Sequence, residues 1–377
     1  MKIAHVEIAG LRGATPKGGW STELEPDNVV HTLLVLKTDE GVVGVGSIFT
    51  SDSLVRSSLE VLKPLLIGET ALEPERVSEK LHQNTFWLGR GGAITHTISG
   101  IDTALWDVFG KITGQPVGRL LGGRLREKVM PYASLLMEEP RSMTEKLLSL
   151  RSQGFRAFKI GWGTFGRIDA ANDELLVKSA RAAIGDECFL AVDAGGSDAY
   201  WRGNLNWAIN TSKMLKEYDV GWFEEALRPD DLEDFRQLRI QSPVPIAGGE
   251  VLTRRQSFTP FLTTRAFDLV QPDVTKVGGI SEFRRIANMA DEFGVRVIPH
   301  GWNTAIGLAV DLQLSSAILS ADKVEYCTGS AYVDDISETP WQLDGDGLLK
   351  IPTQPGIGFS LDPEKVEKYS GVRGILN

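Results

Sequence analysis

The chain has 377 residues, 42% of them hydrophobic and 24% charged, so it can bury a large core and is neither disordered, collagen-like nor a coiled coil. Forty basic against fifty acidic residues leave a formal charge of −10. That argues against a nucleic-acid partner, because phosphate recognition needs a basic surface. A small anionic substrate stays compatible, since one bound metal ion reverses the sign of the field inside a pocket.

Two cysteines, Cys188 and Cys327, leave no disulfide framework and no CxxC zinc pattern; they read as buried thiols in a reducing compartment. The opening Met1-Lys2-Ile3-Ala4-His5-Val6-Glu7 carries charge and has no apolar signal-peptide core. No run of about 18 apolar residues is present to span a membrane. The expected location is the cytoplasm, with no membrane partner.

The N-terminal part alternates like an antiparallel sheet. Val30–Leu36 and Val42–Gly46 read as strands around the turn Thr38-Asp39-Glu40-Gly41. Helices are expected over 53–66, over 74–88, and from 91–92 through Asp107. From about residue 129 short apolar runs alternate with amphipathic segments. Strands are expected at Met130–Leu136, Ala157–Trp162, Phe189–Asp193, Val220–Glu225, Pro245–Glu250, Leu269–Asp273, Val295–His300 and Val324–Thr328. Seven helical segments lie between them: Met143–Gln153, Asn172–Ala183, Leu205–Glu217, Leu232–Leu238, Arg254–Leu262, Ile280–Phe293 and Thr304–Leu319. Repeated βα units imply a parallel sheet with right-handed crossovers, and eight of them imply closure into a barrel of about 250 residues. From about residue 341, Gly345, Gly347, Pro352, Pro355, Gly356 and Gly358 punctuate a strand- and turn-like stretch expected to pack back on the N-terminal module.

The chemistry lies in where polar residues fall on these strands. Asp193, Glu224, Glu250, Asp273 and His300 stand at or near C-terminal strand ends, with Glu225 beside Glu224; Lys159 and Glu325 lie on strands two and eight. In a parallel barrel those ends converge on one mouth, where active sites of such barrels sit. Asp193, Glu224 and Glu250, on three consecutive strands, would repel one another strongly unless a cation sat among them. All-oxygen ligation suits a hard divalent ion such as Mg²⁺. Strands six and seven are neighbours, so Asp273 can hydrogen-bond one ring nitrogen of His300 and raise the basicity of the other. The other four histidines, 5, 31, 82 and 96, lie in the N-terminal module. Lys159, between Phe158 and Ile160, faces the mouth from strand two.

These residues resemble the enolase superfamily, within it the mandelate racemase subgroup. The resemblance is carried by Val192-Asp193-Ala194, Phe223-Glu224-Glu225, Gly249-Glu250, Gln271-Pro272-Asp273, Lys276-Val277-Gly278-Gly279 and Pro299-His300, and by Gly100-Ile101-Asp102-Thr103-Ala104-Leu105-Trp106-Asp107 upstream. It implies an α/β fold: a (β/α)₇β modified TIM barrel at 126–340, an α+β capping domain at 1–125, and a C-terminal segment, 341–377, packing on the cap. It implies Asp193, Glu224 and Glu250 as ligands of one Mg²⁺ per subunit, Asp273 and His300 as a His–Asp dyad, Glu325 as an acid bonded to a substrate carboxylate oxygen, and Lys159 as the first lysine of a Lys-x-Lys motif. It also implies a homo-oligomer. Gly161 replaces the second lysine of that motif, the base on the face opposite the histidine, and Gly195 replaces an asparagine near the metal.

The implied chemistry is abstraction of a proton α to a carboxylate, with Mg²⁺, Lys159 and a protonated Glu325 stabilising the enediolate. With Gly161 in place, His300 alone moves the proton, which favours dehydration of an acid sugar, an aldonate or aldarate, to a 2-keto-3-deoxy acid. His300 then serves as base and acid. Racemisation, epimerisation and lactone cycloisomerisation share the enolate and remain alternatives. Loops at the cap edge cover the substrate in this family, so Lys17, Trp20 and Thr22, within the Gly-containing stretch Ala14–Thr22, are candidate substrate contacts; Ile48-Phe49-Thr50 is a second such loop.

Two other classes are weighed against this. Gly161-Trp162-Gly163-Thr164-Phe165-Gly166 fits GxGxxG between a strand and a helix, as in an NAD-binding oxidoreductase. That fingerprint expects an acid at the end of the next strand, whereas Asp186 and Glu187 precede it. A glycine-rich loop at the barrel mouth is the simpler reading. A non-catalytic barrel is disfavoured by the intact carboxylate trio and His–Asp pair.

Overall fold

A computed structural model describes residues 1–16, 23–198 and 200–376. Lys17, Trp20 and Thr22 lie outside the described residues. The chain opens with a three-stranded antiparallel sheet of β1 (Ile3–Gly10), β2 (Thr32–Thr38) and β3 (Val43–Ile48). Helices Asp52–Leu66, Pro74–Asn84 and Gly92–Thr113 follow. The long third helix lies directly on β3 because β3 has glycines where it touches. A Cβ at Gly44 would sit 2.2 Å from the carbonyl oxygen of Ala104, and one at Gly46 2.1 Å from that of Gly100. The cap so formed has its own apolar core, including Leu34, Leu36, Leu62, Ile101 and Leu105. The second helix ends earlier than the sequence suggests. It stops at Asn84, and Phe86, Trp87 and Leu88 form a separate 3₁₀ turn, closed by Gly89 at φ 104, whose Trp87 is 92% exposed.

The barrel strands are β4 (Lys128–Leu136), β5 (Ala157–Gly161), β6 (Phe189–Asp193), β7 (Phe223–Glu224), β8 (Ile246–Gly248), β9 (Leu269–Val270), β10 (Arg296–Val297) and β11 (Lys323–Cys327). They pair in parallel in the order β10-β9-β8-β7-β6-β5-β4-β11, with one helix in each of the seven connections. This is the (β/α)₇β barrel with its α+β cap. Local signals fix the helix ends. Helix Ala170–Ile184 starts where the Asp169 side chain accepts from the Asn172 amide at 2.8 Å and ends at Gly185, φ 79.

The seam between β10 and β11 is bridged by side chains. Gly301 N–H donates to Glu325 Oε2 at 2.8 Å, Val297 N–H to Ser320 Oγ at 3.1 Å, and Arg296 pairs with Asp322 at 2.9 Å. Inside the barrel, Tyr132, Ala157, Ala191, Trp222, Ala247, Leu269 and Ile298 form a closed apolar layer. Small residues on β5, β6 and β8 make room for the rings of Tyr132 and Trp222, which meet edge to face with centroids 5.4 Å apart.

After β11 the chain makes a short helix, Ala331–Asp334, and then β12 (Leu349–Lys350), which pairs antiparallel with the start of β4. It next crosses the foot of the long cap helix, where Ile357 N–H donates to Asp107 Oδ1 at 3.0 Å and Val117 N–H to the Gly356 carbonyl at 2.8 Å. The final helix, Pro363–Ser370, reaches the cap sheet, and Arg12 N–H donates to the Tyr369 carbonyl at 2.8 Å. The C-terminal segment thus completes the cap. Cys188 and Cys327 are buried free thiols. No helix among the described residues is long and apolar enough to cross a membrane.

Candidate active site

Most of the barrel ladders are shorter than the apolar runs suggest, and the ionisable residues hang from their ends. Asp193 and Glu224 are the last residues of β6 and β7. Glu250, Asp273 and His300 lie two or three residues past β8, β9 and β10, where the backbone has left the sheet. Asp273 and His300 still pair as an isolated parallel bridge, which sets their side chains abreast. Lys159 and Glu325 point inward from the middles of β5 and β11.

One carboxylate oxygen from each of Asp193, Glu224 and Glu250 comes within 4.8 Å of the others, and all three residues are buried. Each is anchored. Glu224 Oε2 accepts from Gln271 Nε2 at 2.7 Å and from Trp222 Nε1 at 2.9 Å. Asp193 accepts from Trp162 Nε1 at 3.1 Å and from the Gly195 amide at 2.7 Å. Glu225, in the left-handed region at φ 44, turns behind the cluster and accepts from Ser197 Oγ at 2.5 Å. Burial, then the charges of its neighbours, pushes Asp193 well above the usual carboxylate range, and Glu225 is raised the same way. A donor set of buried, mutually repelling carboxylate oxygens held in place by outer hydrogen bonds fits a hard divalent cation.

Lys159 bridges this cluster to Glu325. Its ammonium lies 2.6 Å from Glu224 Oε1, 3.0 Å from Glu325 Oε1 and 3.7 Å from Asp193 Oδ2. Burial alone would lower its pKa, but Glu224 and Glu325 outweigh it and hold the side chain firmly as an ammonium. Glu325 is brought down to about 2, because Lys159, His300 and the Gly301 amide overcome its burial. Before substrate binds, Glu325 is therefore a carboxylate; the protonated Glu325 expected from the sequence belongs to the enediolate complex.

His300 Nδ1 lies 2.7 Å from Asp273 Oδ2, and its Nε2 lies 3.2 Å from Glu250 Oε2 and 3.9 Å from Glu325 Oε2. Asp273 is fixed by Thr275, whose amide and hydroxyl donate to Oδ1 at 2.7 and 2.6 Å. Burial lowers the His300 pKa and Lys276 opposes protonation, but Glu250, Glu325 and Asp273 carry the net shift upward. The cap histidines differ. His31, His82 and His96 are pushed down by burial to about 4, 3 and 4 and stay neutral.

A cavity of about 300 Å³ joins these groups. Its charged wall holds Lys159, Asp193, Glu250, Lys276, His300 and Glu325; Phe49, Leu135, Leu136, Trp162 and Trp302 supply apolar surface. Leu24, just past the undescribed segment, lines it too. Gly161 faces Asp193: a Cβ there would sit 2.7 Å from Asp193 Cβ, so a side chain at 161 and this Asp193 position exclude each other. The glycines of the GxGxxG run serve packing. A Cβ at Gly163 would lie 2.0 Å from the Met137 carbonyl oxygen, and the Gly166 amide is taken by Asp173 at 2.7 Å.

Sequence reasoning missed the anchors Trp162, Trp222 and Thr275 and the cavity residues Lys276 and Trp302, whereas Phe49 lies in a cap loop it had named. Trp162 and Trp222 read as apolar core in a strand, and only the polar end of the indole reveals the second use. Lys276 stood in a quoted motif without a role.

Residues 142–366 match the family described as enolase C-terminal domain-like, and 26–122 match the mandelate racemase/muconate lactonizing enzyme N-terminal domain. The chain is 29% identical over 383 residues to D-galactarolactone cycloisomerase of Agrobacterium fabrum, covering 98% of this chain and 99% of that protein. It is 31% identical over 341 residues to arabinonate dehydratase of Saccharolobus solfataricus, covering 89% of each. The crystal structure of 3,6-anhydro-D-galactonate cycloisomerase from Zobellia galactanivorans superposes with a TM-score of 0.87 at 27% identity, over 98% of this chain and 99% of that one.

Proposed function

The chain belongs to the mandelate racemase/muconate lactonizing enzyme family of the enolase superfamily, and from that premise we propose that it dehydrates an acid sugar, an aldonate or aldarate, to a 2-keto-3-deoxy acid. The observation that carries this reading is one buried imidazole tied to Asp273 at 2.7 Å, facing a carboxylate cluster, with glycine at position 161 where a second base would stand. The dehydratase among its relatives supports it.

Asp273 accepts from His300 Nδ1–H, which leaves the lone pair on Nε2 to take the proton α to the substrate carboxylate. Glu224 and Glu325 raise the Lys159 pKa, which suits it to stabilise the enediolate oxygens as an ammonium. Glu325, a carboxylate before binding, meets a second negative charge when the substrate carboxylate arrives; that raises its pKa and lets it hold a proton toward the enediolate. Mg²⁺ held by Asp193, Glu224 and Glu250 would spread the charge of those oxygens and offset the pull of Glu250 on His300. The enediolate electrons expel the β-hydroxyl, which takes the proton from the His300 imidazolium and leaves as water. The resulting enol tautomerises to the ketone.

The test is turnover of a library of aldonic and aldaric acids by purified protein with Mg²⁺. A 2-keto-3-deoxy product is expected, and no such product from any member overturns the reading. His300→Asn is expected to abolish turnover while Mg²⁺ binding, measured by calorimetry, survives.

A second reading is lactone cycloisomerisation, which shares the α-proton step and is favoured by the two relatives named as cycloisomerases. Solvent deuterium entering the α-carbon without loss of water would select it. Racemisation needs a proton donor on both faces, and Gly161 counts against it.

A further inference from the structure

Lys276 follows Asp273 by one helical turn, and the mechanism above does not use it. The residue is 5% exposed, yet it borders the cavity. Its ammonium lies 3.7 Å from Asp273 Oδ2 and 4.0 Å from Glu250 Oε1, both beyond hydrogen-bond length. On another side it sits 4.3 Å from the ring centroid of Phe49, a cap residue that also lines the cavity. Among the described residues the ammonium makes no hydrogen bond, though it carries three N–H donors. Burying donors without acceptors costs stability. The aromatic face offsets part of that cost and leaves the N–H groups for an oxygen-rich guest.

The contrast with Lys159 sharpens this. β9 and β5 lie on opposite sides of the barrel circuit, so the two lysines face the cavity from opposite walls. Lys159 is held by carboxylates at 2.6 and 3.0 Å, whereas Lys276 has only longer contacts.

We propose that Lys276 is a substrate-contacting residue whose ammonium donates to an oxygen of the bound acid sugar on the His300 side, with Phe49 of the cap limiting its reach. This rests on the acid-sugar reading above. The competing role is a structural counter-ion for Asp273 and Glu250.

The experiment is calorimetric binding of arabinonate and xylonate to Mg²⁺-loaded His300→Asn protein, in which turnover is blocked, against the same protein carrying Lys276→Met. The second substitution is expected to weaken sugar binding about 10- to 100-fold, the range for losing a charge-assisted hydrogen bond. Mg²⁺ affinity without sugar is expected to stay within about threefold, and Lys276→Arg to recover part of the sugar affinity. Lys276→Gln carries the comparison if the Met variant does not fold. Sugar affinity indifferent to Lys276 overturns the proposal. So does a tenfold or larger loss of Mg²⁺ affinity, which marks the counter-ion role. If neither probe nor any library acid binds the protein with Lys276 intact, the acid-sugar reading itself falls, and this inference with it.

Discussion

Two layers of the same barrel interior are built from opposite materials. The lower layer, with Tyr132, Ala157, Ala191, Trp222, Ala247, Leu269 and Ile298, is apolar and closed. The layer above it holds Lys159, Asp193, Glu224, Glu250, Asp273, His300 and Glu325, all buried and all ionisable. The same strands supply both, a few residues apart. Burial of the lower layer stabilises the fold; burial of the upper layer works against it, because like charges are crowded out of water. The upper layer holds together through outer hydrogen bonds, and Trp222 does double duty. Its ring packs against Tyr132 and Phe189 below, while its indole N–H donates to Glu224 above.

The comparison can be broken from either side. Glu224→Gln removes a charged ligand from the upper layer. Turnover is expected to fall on the order of 1000-fold, the equivalent of several kcal/mol of charge stabilisation. Thermal stability of the metal-free protein is expected to hold or rise; a collapse of Tm would show that the upper layer is structural. Leu269→Ala, in the lower layer, is expected to cost about 2–5 kcal/mol in urea unfolding with Mg²⁺ affinity unchanged. Lost Mg²⁺ binding there would join what is separated above. Gly161→Ala pushes on Asp193 from β5 and is expected to weaken Mg²⁺ roughly tenfold with little change in Tm, as seen when supporting groups of a metal site are disturbed.

The smallest effect sharpens the comparison. Asp193 and Glu225 have raised pKa values in the folded protein, so folding binds their protons more tightly than the unfolded chain does. Their contribution to stability is present below the ordinary carboxylate range near pH 4 and is lost as pH rises toward the folded values. Mg²⁺ would replace the proton on its ligand Asp193, so the rise in Tm it produces should grow by a few degrees between about pH 5 and pH 8. A rise independent of pH would mean that the cluster does not hold the ion.

The βα grammar made the barrel legible, because apolar runs at regular spacing need one buried sheet, and acids at successive run ends had to meet. Asp193, Glu224 and Glu250 do converge, and Asp273 does reach His300. What could not be read depends on distance across strands. The carboxylate state of Glu325 follows from Lys159, 166 positions earlier in the chain, at 3.0 Å. The reach of Phe49 over Lys276 joins cap to barrel, and no local pattern records it. The early end of the second cap helix was missed because Phe86, Trp87 and Leu88 look like a buried face and are exposed instead.

The side-chain seam between β10 and β11 has a further consequence. Glu325 serves both as a wall of the cavity and as the clasp that receives the Gly301 amide. Altering it would loosen the hoop as well as change the chemistry, so attempts to redirect this protein toward another acid would do better to begin at Leu136 or Trp302, which line the cavity and fasten nothing at that joint.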